Sequence, residues 1–336
     1  MKKNLRVAIL GATGAVGQEF LSILAERKFP VADLKLLASG KSAGKEAKFQ
    51  GKEIAIEETK PDSFEGIDLV LSSAGTSVSR ELVPEAVKRG AIVVDNTSAF
   101  RMDPNVPLVI PEVNPEDISK HKGVIANPNC STIIMAVPLF PLHRAAKLKR
   151  AVVSTYQAAS GAGMKAMLEL QEQTREVLEG KKPTQKIFRH QIAFNLFSHD
   201  SKIREDGFTE EEFKMMEETK KIFHAPDVKI IPTTIRVPVL RAHSESIVAE
   251  FVRPLSEKEA RQILEKAPGV QVIDRREENY FPMPLEASGK DNVLVGRIRK
   301  DPTAANSLAF FVSGDQLRKG AALNAIQIAE ILFEKH

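Results

Sequence analysis

At 336 residues, with 43% hydrophobic and 27% charged, the chain has the composition of a globular protein and more length than one small domain uses. Its 48 basic and 44 acidic residues leave a net charge of +4, too small and too scattered to mark a nucleic-acid partner. The single cysteine, Cys130, excludes an internal disulfide and a multi-cysteine metal cage and suits a reducing, cytoplasmic compartment; no His/Asp/Glu cluster has ligand spacing for a metal.

Met1-Lys2-Lys3 ahead of Val7, Ala8, Ile9 and Leu10 faintly resembles the start of a signal peptide. Gln18 and Glu19 arrive before an apolar core is complete, so 5–10 is expected as a first strand. A helix over 16–27, a strand over 34–38, a hairpin around 49–56, a strand over 67–71, a helix over 77–89 and a strand over 91–94 follow. That alternation is the mark of a parallel sheet with crossover helices. Gly90 is placed to close the second helix, and Thr76 or Ser77 to cap its start. A short strand at 108–110 sits between Pro107 and Pro111, and another at 124–126 leads through Asn127, Pro128 and Asn129 into an apolar helical run beginning at Cys130. Pro138 and Pro141 interrupt that run, whose stretch 133–142 falls short of the roughly 20 residues a membrane span needs.

A domain hinge is expected there. Beyond it, strands over 151–158, 229–237, 246–252, 293–299 and 308–312 are longer and more alternating, as in an antiparallel or mixed sheet. A helix over 164–179 spaces Met167, Leu170, Thr174, Val177 and Leu178 for one buried face. The segment 181–200 has no firm period and reads as an interface element or a site cover. The last helix, 315–334, carries Leu317, Ala321, Ala325, Ile328, Ala329 and Leu332 on one stripe and is expected to pack back on the first domain. The fold class is therefore α/β: a Rossmann-type domain over 1–128, joined by 315–336, and an α+β domain with a mixed sheet over 129–314.

Gly11-Ala12-Thr13-Gly14-Ala15-Val16-Gly17 follows the first strand and opens the first helix. Glycines there let the backbone turn tightly and approach a pyrophosphate, whose charge the helix N-terminus stabilises. The second strand ends at Ala38-Ser39-Gly40-Lys41-Ser42, without the carboxylate that binds the ribose hydroxyls of NAD. A lysine between serines instead suits the 2′-phosphate of NADP. Cys130 stands at a helix N-terminus, where the dipole favours a reactive thiolate. His243 follows Arg236 and Arg241, and Arg101 follows the end of a sheet strand, where α/β sites are built.

Together these segments resemble aspartate-β-semialdehyde dehydrogenase in the form found in Gram-positive bacteria. The resemblance rests on GATGAVG at Gly11, SSAGTS at Ser72, DNTSAFRM at Asp95, NPNCST at Asn127, QAASGAG at Gln157, RVPVLRAHS at Arg236 and GDQLRKGAA at Gly314, in family order. It implies NADP-dependent reduction of L-aspartyl 4-phosphate to the 4-semialdehyde through a cysteine thioester, in lysine, threonine and methionine biosynthesis, by a cytoplasmic homodimer. Cys130 is then the nucleophile, His243 the general acid/base and Gln157 an orienting group. Arg236 binds the substrate carboxylate, Arg101 and Lys221 the phosphate and Glu218 the amino group, with Asn129 beside the substrate. Gly11, Thr13, Gly14, Ala15, Val16, Ser39, Lys41, Ser42, Ser160, Gly161 and Gln316 contact NADP, with Asn324 a weaker candidate. Arginine is expected where Lys41 stands, so the 2′-phosphate contact is a point charge rather than a fork. The rival readings are N-acetyl-glutamyl-phosphate reductase, which shares the cysteine chemistry, and a non-catalytic dinucleotide-binding homologue.

Overall fold

A computed structural model describes residues 5–334 and divides into two units. Met1, Lys2 and Lys3, the signal-like start of the sequence, lie outside the described residues. The first unit runs through Asn129 and takes in the chain again from Ala321; the second is Cys130–Gly320.

The first unit opens with β1 (Leu5–Leu10), α1 (Ala15–Glu26) and β2 (Val31–Ala38), then β3 (Glu46–Phe49), β4 (Lys52–Glu58), β5 (Leu69–Ser72), α2 (Thr76–Lys88), β6 (Ile92–Asp95) and β7 (Val124–Ala126). Its described sheet has the order β3-β4-β2-β1-β5-β6-β7 and is parallel except at the β3–β4 hairpin. β1 explains why the sheet is covered on both faces. Leu5, Val7 and Ile9 join one apolar cluster with Phe20 and Leu24 of α1, while Ala8 and Leu10 join another with Leu82 and Val83 of α2. The chain order reverses between β2 and β5 on either side of β1, which makes a crevice at the carboxyl ends of these strands.

Two local expectations fail for reasons that lie in side-chain hydrogen bonds. The N-cap of α2 is Gly75, without a side-chain cap, because the Thr76 hydroxyl pairs with Ser98 Oγ at 3.0 Å instead. The strand expected at 108–110 is reduced to an isolated bridge between Leu108 and Ala126. There Asn114 competes with the ladder, accepting the Ile110 N–H at 3.0 Å and donating to the Leu108 carbonyl at 2.9 Å.

The second unit begins with α3 (Cys130–Ala146), then β8 (Leu148–Gln157), α4 (Met164–Leu178), β9 (Phe197–Ser198), α5 (Glu210–Ile222), β10 (Lys229–Arg236) and β11 (His243–Phe251). It continues with α6 (Glu257–Glu265), β12 (Val270–Val272), α7 (Pro284–Ala287), β13 (Val293–Lys300) and β14 (Ser307–Gly314). The sheet order is β12-β13-β14-β11-β8-β10-β9, with β8–β10 and β12–β13 parallel and the other pairs antiparallel, so the sheet is mixed.

In α4 the buried residues are Ala166, Glu169, Leu170 and Gln173, whereas Leu178, expected inside, is 74% exposed. The polar members of that face organise 181–200. Glu169 accepts the N–H groups of Lys186, Ile187 and Phe188, and Gln173 Oε1 accepts those of Ile192 and Ala193. A segment held largely by side chains, with only Phe197–Ser198 joining the sheet, has no period to read.

A π-helical turn over Arg318–Ala322 precedes α8 (Leu323–Glu334), the last helix, so the regular α-helix starts later than expected. The α8 residues Ile326, Ala329 and Phe333 share the first unit's cluster with α1. No helix among the described residues is long and apolar enough to cross a membrane.

Candidate active site

In the first unit, the crevice at the strand ends is a cleft of about 520 Å³ lined by Gly11, Thr13, Gly14, Ser39, Gly40 and Ser73 among others. Its glycines are there because of crowding. A Cβ on Gly11, at φ +91°, would lie 2.8 Å from the Ser73 carbonyl, and one on Gly17 would lie 2.3 Å from the Gly11 oxygen. α1 has neither a side-chain cap nor an acidic residue in its first turn, so the positive end of its dipole is offered to a ligand. Ala15 and Val16 form that first turn. The loop therefore fits a dinucleotide pyrophosphate.

The rim of the cleft adds one group to those expected. Lys41 is exposed on the turn after β2, and neither it nor Ser42 is among the lining residues. A carboxylate is present after all: Glu58, the register partner of Ala38 across the parallel β2–β4 pair, lines the cleft. Its Oε1 would stand 2.5 Å from a Cβ on Gly40. The group comes from the neighbouring strand and not from the end of the second one.

Behind the cleft, Asp95 at the end of β6 is fully buried and accepts from Ser79 Oγ at 2.9 Å and Thr97 Oγ1 at 2.7 Å. This fixes the turn that follows, so the Arg101 guanidinium reaches the carbonyls of Asn127 at 2.9 Å and Asn96 at 2.7 Å. Asn129 is buried nearby in sequence. Asn324 uses its amide hydrogens on the Val109 carbonyl and Asn127 Oδ1, at 3.0 and 2.7 Å, which orients its side chain.

The second unit gathers side chains from several strand ends. Cys130 is the first residue of α3 and is half-buried, and Gly320 leaves space beside it: a Cβ there would lie 3.1 Å from Cys130 Cβ. His243, the first residue of β11, is fully buried. Its Nδ1 accepts the Ala158 N–H at 3.0 Å, so the neutral ring carries its proton on Nε2. Burial, and then the Arg236 guanidinium, push the imidazole pKa down to about 3. His243 Nε2 and Arg236 Nη1 lie 3.0 and 2.9 Å from the point where Gly161 would place a Cβ, so this glycine keeps open the space both groups face.

The backbone just before His243 is strained. Ala242 has φ +71°, and its N–H donates to Gln316 Oε1 at 2.9 Å, while Gln316 Nε2 donates to the buried Ser160 hydroxyl. Gln316 and Ser160 thus brace each other. Gln157 and Arg236 end β8 and β10 as register partners across a parallel pair, so both project from one face. Arg236 donates to the Ala158 carbonyl at 3.3 Å and lies 3.6 Å from Asp200. Glu218 is buried in α5, and Lys221 is in that helix's last turn. Sequence reasoning missed His199, whose pKa falls to about 4 through burial, with Arg236 and Lys214 among the neighbours that lower it further. It lies in 181–200, where nothing periodic points to it.

Residues 6–121 match the family described as semialdehyde dehydrogenase, NAD binding domain, and residues 139–319 the semialdehyde dehydrogenase dimerisation domain. The aspartate-semialdehyde dehydrogenase of Synechocystis is 55% identical over 335 residues, covering 100% of this chain and 99% of its own. The chain belongs to the aspartate-semialdehyde dehydrogenases. The enzyme of Bacillus subtilis is 48% identical over 99% of this chain and 98% of its own, below the Synechocystis match, so restriction to a Gram-positive form is withdrawn. Among solved structures, Vibrio cholerae aspartate semialdehyde dehydrogenase II complexed with ASA has a TM-score of 0.97 at 41% identity, covering 100% of both chains. The Candida albicans enzyme with NADP has a TM-score of 0.77 at 27% identity, covering 98% of this chain and 99% of that one. Full-length similarity to this one family of oxidoreductases sets aside the N-acetyl-glutamyl-phosphate and non-catalytic readings.

Proposed function

We propose that the chain catalyses the reversible, NADP-dependent conversion of L-aspartyl 4-phosphate into L-aspartate 4-semialdehyde and phosphate, as a cytoplasmic homodimer. The observation that carries this reading is the convergence of His243 Nε2 and Arg236 Nη1 on the space beside Gly161. A proton donor beside a carboxylate-binding cation is what an anionic aldehyde needs. Gly11, Thr13, Gly14 and Ser39, with Lys41 assigned to the 2′-phosphate, would hold NADP, which would supply the hydride acceptor.

In the oxidative direction the Cys130 thiolate forms a C–S bond to the aldehyde carbon, and the former carbonyl oxygen takes up negative charge. His243 offers that oxygen its Nε2–H, which a ring with Nδ1 already accepting from Ala158 is arranged to do. Loss of hydride with its two electrons leaves a thioester on Cys130. A phosphate oxygen, assigned to Arg101 and Lys221, adds to the thioester carbon. The C–S bond then breaks to release acyl phosphate and regenerate the thiolate. Arg236 and Gln157 hold the carboxylate, and Glu218 takes the amino group.

The homodimer is supported by apolar residues left exposed on the second unit, including Tyr156 at 39% and Ile231 at 44% on its sheet and Phe194 at 64%. The test of the activity is NADPH formation from aspartate semialdehyde with and without phosphate. Phosphate-dependent turnover is expected, and turnover indifferent to phosphate overturns the reading.

A further inference from the structure

Gln157 poses a question that its placement alone does not answer. Its amide has an accepting and a donating end, interchangeable by a half-turn, and only the donating end suits a substrate carboxylate beside Arg236. Two neighbours decide the orientation. Thr155 Oγ1 accepts the Ile235 N–H at 3.3 Å and donates its own hydrogen to Gln157 Oε1 at 3.2 Å. Gln157 Nε2 donates to Glu211 Oε1 at 3.2 Å. An ionised carboxylate only accepts, so Glu211 selects the nitrogen end, and the second N–H of that nitrogen remains for a ligand.

Glu211 is not needed where a first-turn glutamate is usually needed. α5 is already closed by a reciprocal cap between Thr209 and Glu212, whose carboxylate also accepts the Thr234 N–H at 2.9 Å, and Glu210 faces Arg204 at 3.6 Å. Of the three consecutive glutamates, Glu211 alone turns to Gln157. It is 5% exposed, and its other oxygen is held by Lys214 at 3.1 Å.

We propose that Glu211 is a positioning residue that, with Thr155, fixes the Gln157 amide so that it presents an N–H to the substrate carboxylate; this rests on the function proposed above. Glu211→Ala should raise the KM for aspartate semialdehyde about tenfold, the worth of a lost charge-assisted contact, while kcat and the KM for phosphate stay near wild type. Glu211→Asp, which keeps a group that only accepts, should recover part of the loss. In a Gln157→Ala background Glu211→Ala should add nothing, because the two share one interaction. Thr155→Val releases the amide from its other end and should show the same split, which covers the case in which Glu211→Ala does not fold. The proposal is overturned if the semialdehyde and phosphate constants rise together, if the two substitutions add independently, or if Glu211→Asp is no better than alanine. Absence of phosphate-dependent turnover in the wild-type enzyme would remove the functional reading itself. With that turnover present, the variants bear on the clamp alone.

Discussion

The glycine cleft of the first unit and the polar cluster of the second are built from different materials. The cleft owes its shape to backbone in short, nearly contiguous segments, and its chief demand on the sequence is the absence of Cβ atoms at Gly11 and Gly17. The cluster is made of side chains from β8, β10, β11 and the turn at Gly161, and its demands are particular functional groups in particular orientations. A backbone-made site tolerates most side-chain changes but no added bulk. A side-chain site fails one group at a time.

The strongest way to break this comparison is Cys130→Ala. It should abolish turnover while NADP binding, measured by fluorescence titration, stays unchanged, because every residue lining the glycine cleft belongs to the other unit. Residual turnover would end the covalent role of Cys130, and loss of cofactor binding would show that the two sites are not separable. Next in size is His243→Asn, expected to slow kcat by roughly 10²–10⁴-fold, the usual range for a positioned proton-handling group. With the ring pKa near 3, His243 stays neutral from pH 5 to 9, so a rate limb in that interval belongs to another group and survives in the variant. Folding stability carries a matching sign. The unfolded histidine takes up a proton near pH 6.5 and the folded one does not until about pH 3, so stability falls as pH drops through that window.

The same contrast explains what could be read in advance. The glycine loop was legible because spacing within seven residues implies the turn, and β1 because both its faces are buried. The NPNC and RVPVLRAHS segments were legible as motifs, but no spacing says that Arg236 Nη1 and His243 Nε2 flank Gly161, since β10, β11 and the Gly161 turn meet only through the sheet. Glu58 was missed for a related reason: parallel pairing brings β4 beside β2, and register is a tertiary fact. The α4 face was misjudged because Glu169 and Gln173, polar residues that pattern reading places outside, are buried to hold 186–193.

Glu245, two residues from His243 on β11, sharpens the comparison without touching the reaction. Both its oxygens are buried without a hydrogen-bond partner, and burial holds its carboxyl well above the usual carboxylate range. The folded chain therefore keeps this proton where the unfolded chain has lost it, so stability falls as pH rises above the unfolded value. Glu245→Gln, which mimics the protonated acid, should remove that fall and show its largest gain at alkaline pH. Urea unfolding at pH 5 and pH 9 checks this; an unchanged difference between the two would mean that Glu245 finds a partner in solution.

The smallest expected effects lie at the rim of the glycine cleft, where side-chain choice enters a largely backbone-made site. Lys41 and Glu58 have opposite charges, and a 2′-phosphate is the only part of the cofactor that distinguishes NADP from NAD. Lys41→Ala should weaken NADP by roughly five- to tenfold, since the position is exposed and the contact solvated, and should leave NAD nearly unchanged. Glu58→Gln should tighten NADP by about two- to fivefold, because it removes a like charge near Gly40, and should not help NAD. Dissociation constants for both cofactors on both variants decide the matter. If the two constants move together in either variant, that side chain acts on the turn after β2 and not on the phosphate. If Glu58→Gln weakens NAD while leaving NADP alone, the carboxylate is holding ribose hydroxyls, and the rim is built to accept both cofactors.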